Sequence, residues 1–333
     1  MKKPLVSIIM PVFNAGTYIR ESIQSILSQT FQDIELVIVD DCSQDETWSI
    51  IQEMSLKDER CRCFRLDRNS GSAKYPRDYA AKMSVGNFVC WIDADDRVVD
   101  DYLERLVKRQ QETQADIVCS KMLAFAPNDN IVYTLPRDNF NYGQVLDGKK
   151  AVILTIGKEW QISVNGFLTR KEIWTSTEHF LDKSVIQMNA DDYASREMLL
   201  ASGKVAFCDA EYYYRLHQQS ITKAISHKLF EPLITDRMVI GLFERYFNTT
   251  SNEIAEAWSQ YFFHWISMMR IFVLNRDRLQ GESHGIAERL LKEHKKGFPV
   301  TRILKEKNVS FAQRTLLLLP IGITELIVKK INK

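Results

Sequence analysis

The first 120 residues alternate between short, wholly apolar segments and longer segments in which apolar residues recur every three or four positions. Leu5–Met10 and Ile34–Val39 are continuous apolar runs, as expected of strands buried on both faces. Tyr18–Gln29 lies between them and places its isoleucines on one helical face. The same alternation predicts strands at 61–66, 88–92 and 117–120, and helices around 48–54, 78–84 and 102–107. The pattern predicts an α/β fold with a mostly parallel, Rossmann-like sheet flanked by helices.

The helix after the second strand carries a start signal. Ser43 and Glu46 stand three residues apart, which is the spacing of a capping box. We therefore expect the hydroxyl of Ser43 to cap this helix.

The pattern loosens after residue 120. Short strands are expected near Val164–Thr169 and Val205–Tyr214, and a helix is expected over Asp191–Leu200. Beyond residue 226, apolar residues between Ile254 and Phe272 form a wide helical stripe, which indicates a largely buried helix, and Pro299 is expected to end the helix before it. The predicted domains are 1–225, the α/β domain, and 226–333, a helical region.

The last segment, Phe311–Lys333, combines a short leucine run with lysines near its end. It is too short and interrupted to span a bilayer, which takes about 18 apolar residues. Two uses remain open. It could lie on a membrane surface with its lysines near anionic headgroups, or it could dock on the protein. The helical region could also contact a second copy of the chain.

Composition excludes several classes. The chain has 333 residues, and its 44 basic and 43 acidic residues leave a net charge of +1, so nothing indicates nucleic acid as a partner. None of the 6 cysteines forms a CxxC pair, and several lie in apolar runs, which favours a reducing, cytoplasmic compartment. The apolar start, Leu5–Met10, is interpreted as a buried strand and not a signal peptide, because Pro11 and Asn14 interrupt it.

Acidic residues follow two of the predicted strands directly. Asp40 and Asp41 come after one strand, and Asp93, Asp95 and Asp96 come after another. Ligands of parallel sheets bind at the carboxyl ends of the strands, where an unpaired carboxylate is costly. Oxygen-rich sites of this kind suit Mg²⁺ or Mn²⁺. The alternative is that these acids cap the helices that follow.

The turn after the first strand is Pro11-Val12-Phe13-Asn14. It could form a backbone cradle for a flat base, or it could simply end the strand, since Pro and Asn favour turns.

Taken together, these segments resemble a known family. Val6–Asp45 is similar to the opening of the family 2 glycosyltransferases, which have the GT-A fold, and Phe88–Asp96, with its DxD motif, is similar to their middle block. The resemblance is strong over residues 5–120. It extends more weakly to residues 189–193 and 214–222.

The resemblance implies a nucleotide-diphosphate sugar as the donor, most often a UDP-sugar, and Mn²⁺ or Mg²⁺ as cofactor. Pro11, Val12 and Phe13 would line the base and ribose, Asp40 would hydrogen-bond the base, and Arg77 would lie near the diphosphate. The implied donor-binding residues are Pro11, Val12, Phe13, Asn14, Asp40, Asp41, Arg77, Asp93, Ala94 and Arg215. The implied metal ligands are Asp95, Asp93 and His217.

The sequence departs from the family at two places. Cys42 stands where the family usually has glycine, and a side chain there disfavours a positive backbone angle, so the turn is expected to differ. The segment Lys74-Tyr75-Pro76 is longer than usual before the arginine.

The implied reaction inverts the anomeric centre and needs a base for the acceptor hydroxyl. In the family pattern an acid pair opens a helix, which gives Asp192 as base and Asp191 as its neighbour and second candidate; both could instead only favour a helix N-terminus. His217 could complete a metal shell and Arg215 could meet a phosphate, or both could lie in an exposed loop. Trp160 could stack on an acceptor sugar or pack in the core.

The leading hypothesis is an inverting, metal-dependent glycosyltransferase that acts on a glycan or lipid-linked acceptor in surface-polysaccharide synthesis, at the cytoplasmic side of the membrane. A nucleotidyltransferase and a non-catalytic nucleotide-sugar or glycan-binding subunit are the alternatives. A P-loop ATPase is excluded because its glycine-rich loop with lysine is missing, and the nucleophile elbow of a serine hydrolase is missing as well.

Overall fold

The computed structural model describes residues 3–136, 139–156, 160, 165–178, 180, 182, 189–217, 225–279, 281–305, 309–319, 323–324 and 327. The chain divides into two compact units. The first is Met1–Ile186 with Ala190–His217, and the second is Gln187–Asn189 with Gln218–Lys333. The division into functional domains at residue 225 stays a prediction. Residues 218–222, the end of the segment 214–222 that resembles the family, lie outside the described residues.

The first unit is built on one sheet, to which ten strands of the described residues contribute. They are β1 (Val6–Val12), β2 (Ile34–Asp40), β3 (Cys61–Arg65), β4 (Phe88–Trp91), β5 (Arg97–Val98), β6 (Ile117–Phe125), β7 (Ile131–Leu135), β8 (Val145–Leu146), β9 (Leu168–Arg170) and β10 (Val205–Arg215). Their order is β3-β2-β1-β4-β9-β6-β10-β5, with β7 on β6 and β8 on β10. Strands β3, β2, β1 and β4 are parallel, as are β6 and β10, and the short β9 joins the two groups by antiparallel pairing.

Helices accompany this sheet throughout the unit. They are α1 (Ile19–Leu27), α2 (Thr47–Ser55), α3 (Lys74–Met83), α4 (Tyr102–Thr113), α5 (Gly148–Ile156), α6 (Lys171–Thr175) and α7 (Ala190–Ala201). Every residue of β1, β2 and β4 is buried, which explains why these strands are continuously apolar in sequence. The predicted fold class, a central sheet flanked by helices, is confirmed.

The predicted capping box is wrong. Helix α2 begins at Thr47, and the backbone N–H of Thr47 is capped by Asp45 Oδ1 at 3.1 Å. The hydroxyl of Ser43 instead donates to Asp40 and accepts from the backbone N–H of Asn14 at 2.9 Å. A buried carboxylate such as that of Asp40 is costly without hydrogen-bond donors. The hydroxyl of Ser43 therefore stabilises the loop before α2 and does not cap the helix.

The second unit is helical where it is described. A 3₁₀ turn (His227–Phe230) precedes α8 (Pro232–Tyr246), α9 (Asn252–Leu274), α10 (Glu282–Lys296), α11 (Val300–Ile303) and α12 (Phe311–Leu318). The wide stripe of α9 forms core, as predicted: Trp265 is fully buried and its indole N–H donates to the carbonyl of Leu291 at 2.9 Å. Helix α10 ends three residues before Pro299, also as predicted.

The described part of the C-terminal segment packs on α10. The Lys295 ammonium donates to the carbonyl of Leu316 at 3.0 Å and to Thr324 Oγ1 at 3.0 Å, and Leu317 is buried. Lys295 of α10 thus lies at the C-terminal end of α12, where its ammonium group satisfies carbonyls that α12 leaves unpaired. Among the described helices, none combines the length and apolar character that crossing a membrane requires.

A buried acid joins the first strands near their amino ends. Glu35 of β2 is 5% exposed and accepts from Ser7 Oγ, from the backbone N–H of Val85 and from the guanidinium of Arg62, each at 2.6 Å. Ser7 Oγ in turn accepts from the backbone N–H of Gly86 at 2.8 Å. Burial raises the pKa of Glu35, but these three hydrogen bonds outweigh it and lower the pKa below 4.5.

We expect Glu35→Ala to destabilise the protein by about 2–3 kcal/mol, because it leaves buried donors unpaired. The folded-state pKa lies below the unfolded value, so the contribution of Glu35 is complete above about pH 4.5 and is lost as the pH falls through the folded-state pKa. Urea titration at several pH values measures both effects. Glu53→Ala is the matched control, since Glu53 pairs with Arg20 and Lys57 but is 44% exposed; an equal loss in the two variants would contradict the role given to burial.

Candidate active site

The carboxyl ends of β1, β2 and β4 lie at one edge of the sheet. Val12 is in register with Asp40, and the backbone N–H of Asp41 donates to the carbonyl of Val12 at 2.7 Å. The backbone N–H of Ile92 donates to the carbonyl of Ile9 at 3.1 Å, so the acids that follow β4 emerge at the same edge. The structure therefore brings the two predicted acidic segments to one edge, as parallel pairing requires.

Asp40 is fully buried and bound by protein donors. Its carboxylate accepts from the backbone N–H and hydroxyl of Ser43, and Arg65 Nε lies 3.1 Å away. These contacts fix the turn after β2. Its predicted contact with a base stays a prediction.

Asp41 ties the turn after β2 to the segment after β3. Its carboxylate accepts from the backbone N–H of Ser70 at 2.8 Å and from Ser70 Oγ at 2.9 Å, while its carbonyl accepts from the amide of Asn69 at 3.2 Å. Burial raises the pKa of Asp41, although the hydrogen bonds from Ser70 oppose it.

Cys42 adopts a φ of 63°, so the turn takes the left-handed conformation that glycine favours, in spite of its side chain. The expectation that the turn differs at this position is therefore wrong. The surrounding hydrogen bonds fix the backbone, and the thiol reaches the carbonyl of Asp67 at 3.8 Å. A strained residue of this kind persists only where neighbours determine its conformation.

The loop after β1 is tied to the same turn. Asn14 has a φ of 49°, and its side-chain oxygen accepts from the backbone N–H of Gln44 at 2.8 Å. Pro11 and Val12 are buried at the end of β1, whereas the Phe13 side chain is 45% exposed. A base could lie against Phe13 without displacing any core residue.

Three carboxylates converge after β4. Asp93, Asp95 and Asp96 each offer an oxygen, and these oxygens lie within 4.8 Å of one another. Asp93 accepts from the indole N–H of Trp91 at 2.9 Å and from the amide of Asn165. Burial, and next the charge of Asp95, raise the pKa of Asp93 to about 7.

Asp96 is the deepest of the three and is fully buried. It accepts from the phenol of Tyr212 at 2.6 Å and from the backbone N–H of Arg215 at 2.7 Å. Burial, and then the charges of Asp95 and Asp93, raise its pKa well above the ordinary value. The sequence placed Asp96 among the acids after β4 but gave it no role in the site, and nothing local indicated Tyr212 or Asn165.

Asp95 contacts His217, which follows β10. The two side chains approach to 2.7 Å between His Nε2 and Oδ2, and the His217 ring lies 5.0 Å from that of Tyr18. The structure thus joins two of the predicted metal ligands across more than a hundred residues of sequence. Ala94, between the acids, is buried, and its carbonyl accepts from Ser22 Oγ at 2.9 Å.

Arg215 fixes the acidic turn from the side. Its Nε donates to the carbonyl of Asp95 at 2.7 Å, and its outer nitrogen donates to Glu21 at 2.6 Å. The guanidinium also lies 4.8 Å from the ring centroid of Tyr18. These contacts position the backbone of the acid cluster, and the predicted phosphate contact of Arg215 stays a prediction.

Arg77 of α3 is buried and lies 4.5 Å from the ring centroid of Trp91. Among the described residues its Nε–H has no hydrogen-bond partner. A buried donor without a partner is costly, and a charged one more so. Its charge acts to lower the pKa values of Asp93 and Asp191, so Arg77 interacts both with the acid cluster and with the start of α7.

Asp191 and Asp192 open α7 as predicted, after Asn189 with a φ of 61°. Burial raises the pKa of Asp191, Arg77 opposes this, and Asp192 adds to it. The charge of Asp191 also raises the pKa of Asp93. Asp192 forms an ion pair with Arg196, one turn along the helix. Both acids therefore remain candidates for the base, with Asp191 electrostatically coupled to the cluster.

Trp160 belongs to the core. Its side chain is 2% exposed. The ring lies edge-on to that of Phe207, with the centroids 5.1 Å apart, and it also packs on the ring of Phe167. Of its two predicted uses, core packing is the one the structure shows.

The donor set of the acid cluster fits a divalent cation. Three carboxylates share a small volume, a histidine adjoins them, and two of the acids have raised pKa values because burial and mutual repulsion disfavour their ionised forms. Oxygen-rich sites of this kind suit Mg²⁺ or Mn²⁺, whose charge would relieve that repulsion.

The proteins and the family model that this chain resembles are glycosyltransferases. The family model for "Glycosyl transferase family 2" matches residues 7–167. Among curated relatives, the glycosyltransferase GlyG of Streptococcus pneumoniae is 28% identical over 228 residues, which is 66% of this chain and 73% of that protein. The glycosyltransferase GlyA of the same organism is 27% identical over 69% of this chain, which spans only 33% of GlyA.

A solved structure shares the fold. The crystal structure of S. aureus TarS 1–349 in complex with UDP-GlcNAc superposes with a TM-score of 0.70 at 20% identity, covering 98% of this chain and 89% of that one.

The raised pKa of Asp93 leads to a prediction for the metal-free protein. An acid whose folded-state pKa exceeds its unfolded value destabilises the fold once it ionises. We therefore expect Asp93→Asn to be more stable than the wild type at about pH 8, by roughly 1–3 kcal/mol, with a gain that shrinks as the pH falls below about 7. Urea titration in EDTA measures the gain.

Asp209→Asn controls for the removal of one charge, because Asp209 lies on the same sheet with a side chain that is 62% exposed. A destabilised Asp93→Asn variant at every pH would show that Asp93 is held by its hydrogen bonds alone, and would contradict the expected repulsion.

Proposed function

We propose that this chain, which matches glycosyltransferase family 2 over residues 7–167, is an inverting, metal-dependent enzyme of the GT-A fold. The donor is a nucleotide-diphosphate sugar, and the acceptor is a glycan or lipid-linked glycan of surface-polysaccharide synthesis. A cytoplasmic location, with the C-terminal residues 311–333 at the membrane surface, is part of the same proposal.

One observation carries this function: a buried arginine with an Nε–H that makes no hydrogen bond among the described residues lies near a cluster of repelling carboxylates at the carboxyl edge of the sheet. Arg77 has an Nε–H without a hydrogen-bond partner among the described residues, and Asp93, Asp95 and Asp96 crowd their oxygens together. A diphosphate with a divalent cation would give the Nε–H of Arg77 an acceptor and would neutralise the repulsion among the carboxylates, since phosphate oxygens accept from arginine and bind the cation.

The donor is proposed from chemistry and from likeness. The exposed ring of Phe13 and the loop polar groups around Asn14 suit a flat base and a ribose. The structure of TarS, which has the same fold, holds UDP-GlcNAc. A UDP-linked hexose or N-acetylhexosamine is therefore the donor class to test first.

The chain's own residues would divide the work as follows. Asp95 and Asp93, with His217 beside them, would hold the cation, and Arg77 would bind a diphosphate oxygen. When bound, Mn²⁺ or Mg²⁺ would neutralise charge that develops on the leaving diphosphate. Asp96 and Arg215 would keep the acidic turn in place from behind, because both are bound to its backbone or to Tyr212.

The transfer itself would be a single displacement. The acceptor hydroxyl oxygen forms a bond to the anomeric carbon while the bond from that carbon to the diphosphate oxygen breaks, and the hydroxyl proton passes to a carboxylate. Asp192 is proposed as that base, with Asp191 beside it. The ion pair between Asp192 and Arg196 would have to open, or turn aside, for the proton to be accepted.

Donor binding tests the role of Arg77. We expect UDP-GlcNAc with Mn²⁺ to stabilise the wild type in a thermal-shift titration, and Arg77→Ala to weaken donor binding roughly 10- to 100-fold, since a charged hydrogen bond to phosphate is lost. Arg20→Ala is the control, because Arg20 is an exposed arginine paired with Glu53. EDTA should weaken donor binding to the wild type as well.

Donor binding that is equal in Arg77→Ala and wild type would contradict the diphosphate contact. Binding without turnover across a wide acceptor panel would favour a non-catalytic subunit. Release of pyrophosphate from a nucleoside triphosphate would favour a nucleotidyltransferase.

A pair of isosteric variants tests the base. We expect Asp192→Asn to lower kcat roughly 100- to 10,000-fold while leaving donor affinity within about twofold, because general-base catalysis is lost but the donor contacts are kept. Asp191→Asn is the matched variant on the same helical turn. Rate and affinity come from UDP release and from titration with UDP-GlcNAc. Full activity in Asp192→Asn with loss in Asp191→Asn would transfer the role to Asp191.

A further inference from the structure

Strand β7 presents an apolar, aromatic surface at an edge of the sheet. Val132 and Tyr133 are 57% and 42% exposed, although both stand in a strand of the α/β unit. Strand β7 pairs with β6 on one side, and no other described strand pairs with it. Among the described residues, no strand covers its outer backbone groups.

The strand register places Tyr133, Ala124 and Tyr214 side by side in a row across β7, β6 and β10, and this row leads toward the acid cluster. Tyr133 is opposite Ala124 of β6, and Ala124 is opposite Tyr214 of β10. Tyr214 lies two residues after Tyr212, so the two side chains share one face of the sheet. That face is the one on which the Tyr212 phenol binds Asp96 at 2.6 Å.

Electrostatics agree with this placement. Burial raises the pKa of Tyr133, and the charge of Asp96 raises it further. Burial raises the pKa of Tyr214, followed by the charges of Asp96 and Asp93 and by Tyr133 itself. Both phenols thus lie within electrostatic reach of the acids.

The row has the dimensions of a short saccharide. Neighbouring strands are about 4.8 Å apart, so Tyr133 and Tyr214, with one strand between them, are separated by about 10 Å across the sheet. The residue between them, Ala124, adds only a methyl group and is fully buried, so the two rings and not Ala124 would offer a surface to a ligand. A disaccharide bridges such a distance.

We propose that Tyr133 is the platform on which a sugar ring of the acceptor stacks, in a subsite that runs along the row from Tyr133 toward Tyr214 and the acid cluster. This inference rests on the proposed glycosyl transfer. One face of a hexopyranose presents C–H groups, which carry slight positive charge and pack on the negative face of an aromatic ring. The hydroxyl groups at the rim of the sugar could bond to the outer backbone edge of β7, which no described strand covers.

The occupant follows from the position of the row. An exposed aromatic surface beside a transfer site suits a ligand with alternating apolar faces and polar rims, which describes a glycan. Trp160, the other aromatic residue considered for this role, is buried in the core and cannot offer a face to a ligand. Tyr133 is available where Trp160 is not.

Three variants of the full chain test the subsite. Tyr133→Ala removes the ring, Tyr133→Phe keeps the ring and removes the hydroxyl, and Val132→Ala truncates an exposed apolar neighbour on the same strand as a matched control. The probes are methyl glycosides of glucose, galactose and N-acetylglucosamine and their β-linked disaccharides. Saturation-transfer NMR with UDP and Mn²⁺ present measures their binding, and hydrolysis of UDP-GlcNAc without acceptor measures the donor site separately.

We expect at least one saccharide to bind the wild type, Tyr133→Phe and Val132→Ala alike, and to bind Tyr133→Ala about tenfold more weakly, because truncation of an exposed aromatic anchor costs that order of affinity. UDP-GlcNAc hydrolysis should be the same in all four proteins. Equal saccharide binding in Tyr133→Ala would overturn the proposal, as would a wild type that binds none of the probes. Absence of donor binding and hydrolysis in the wild type would instead contradict the proposed function, whatever happens at Tyr133.

Discussion

Repulsion among carboxylates gathered at one sheet edge is the constraint on which the site depends. Asp93, Asp95 and Asp96 come so close because the backbone leaves β4 in a tight turn, and burial makes the ionised forms of Asp93 and Asp96 unfavourable. A fold tolerates such a cluster only where something compensates it, either protons or a cation. The raised pKa of Asp93, about 7, means that a small change in conditions or a bound ion shifts the balance. Destabilised groups of this kind are typical of functional sites, where stability is given up for binding.

The cluster is held by partners from distant parts of the chain. Tyr212 and the backbone of Arg215 bind Asp96, and Arg215 also reaches the carbonyl of Asp95. All of these contacts come from β10 and its end, about 120 residues after the acids. Strand β10 therefore pairs with β6 in the sheet and also holds the acid cluster in position through Tyr212 and Arg215. This explains why the weakly patterned second half of the unit matters as much to the proposed chemistry as the strongly patterned first half.

The sequence predicted what local pattern controls. Buried parallel strands such as β1 and β2 have a continuous apolar signature, and acids directly after them stand at a known edge, so the fold class and the positions of Asp40, Asp93 and Asp95 followed from spacing. Long-range pairing has no such signature. The antiparallel strand β9 is only three residues long, and Tyr212 and Asn165 resemble ordinary strand and loop residues until the chain is folded. The capping box at Ser43 failed because a buried carboxylate competed for the same hydroxyl, and Cys42 kept its turn because tertiary hydrogen bonds outweighed a local backbone preference.

The two ends of the strands solve the problem of buried charge in different ways. At the amino ends, Glu35 is ionised and fully compensated: three donors lie at 2.6 Å from it and its pKa is lowered. At the carboxyl ends, the acids repel one another while the nearby Arg77 keeps an Nε–H without a partner among the described residues. Asp78 Oδ1 lies 3.8 Å from that nitrogen, beyond hydrogen-bond distance, and the guanidinium packs against the ring of Trp91. A compensated charge stabilises a fold, whereas an uncompensated one stores free energy that a ligand can recover on binding. The contrast between the two ends is therefore a physical argument, independent of any likeness in sequence, for the proposed binding of an anionic ligand and its cation at the carboxyl edge.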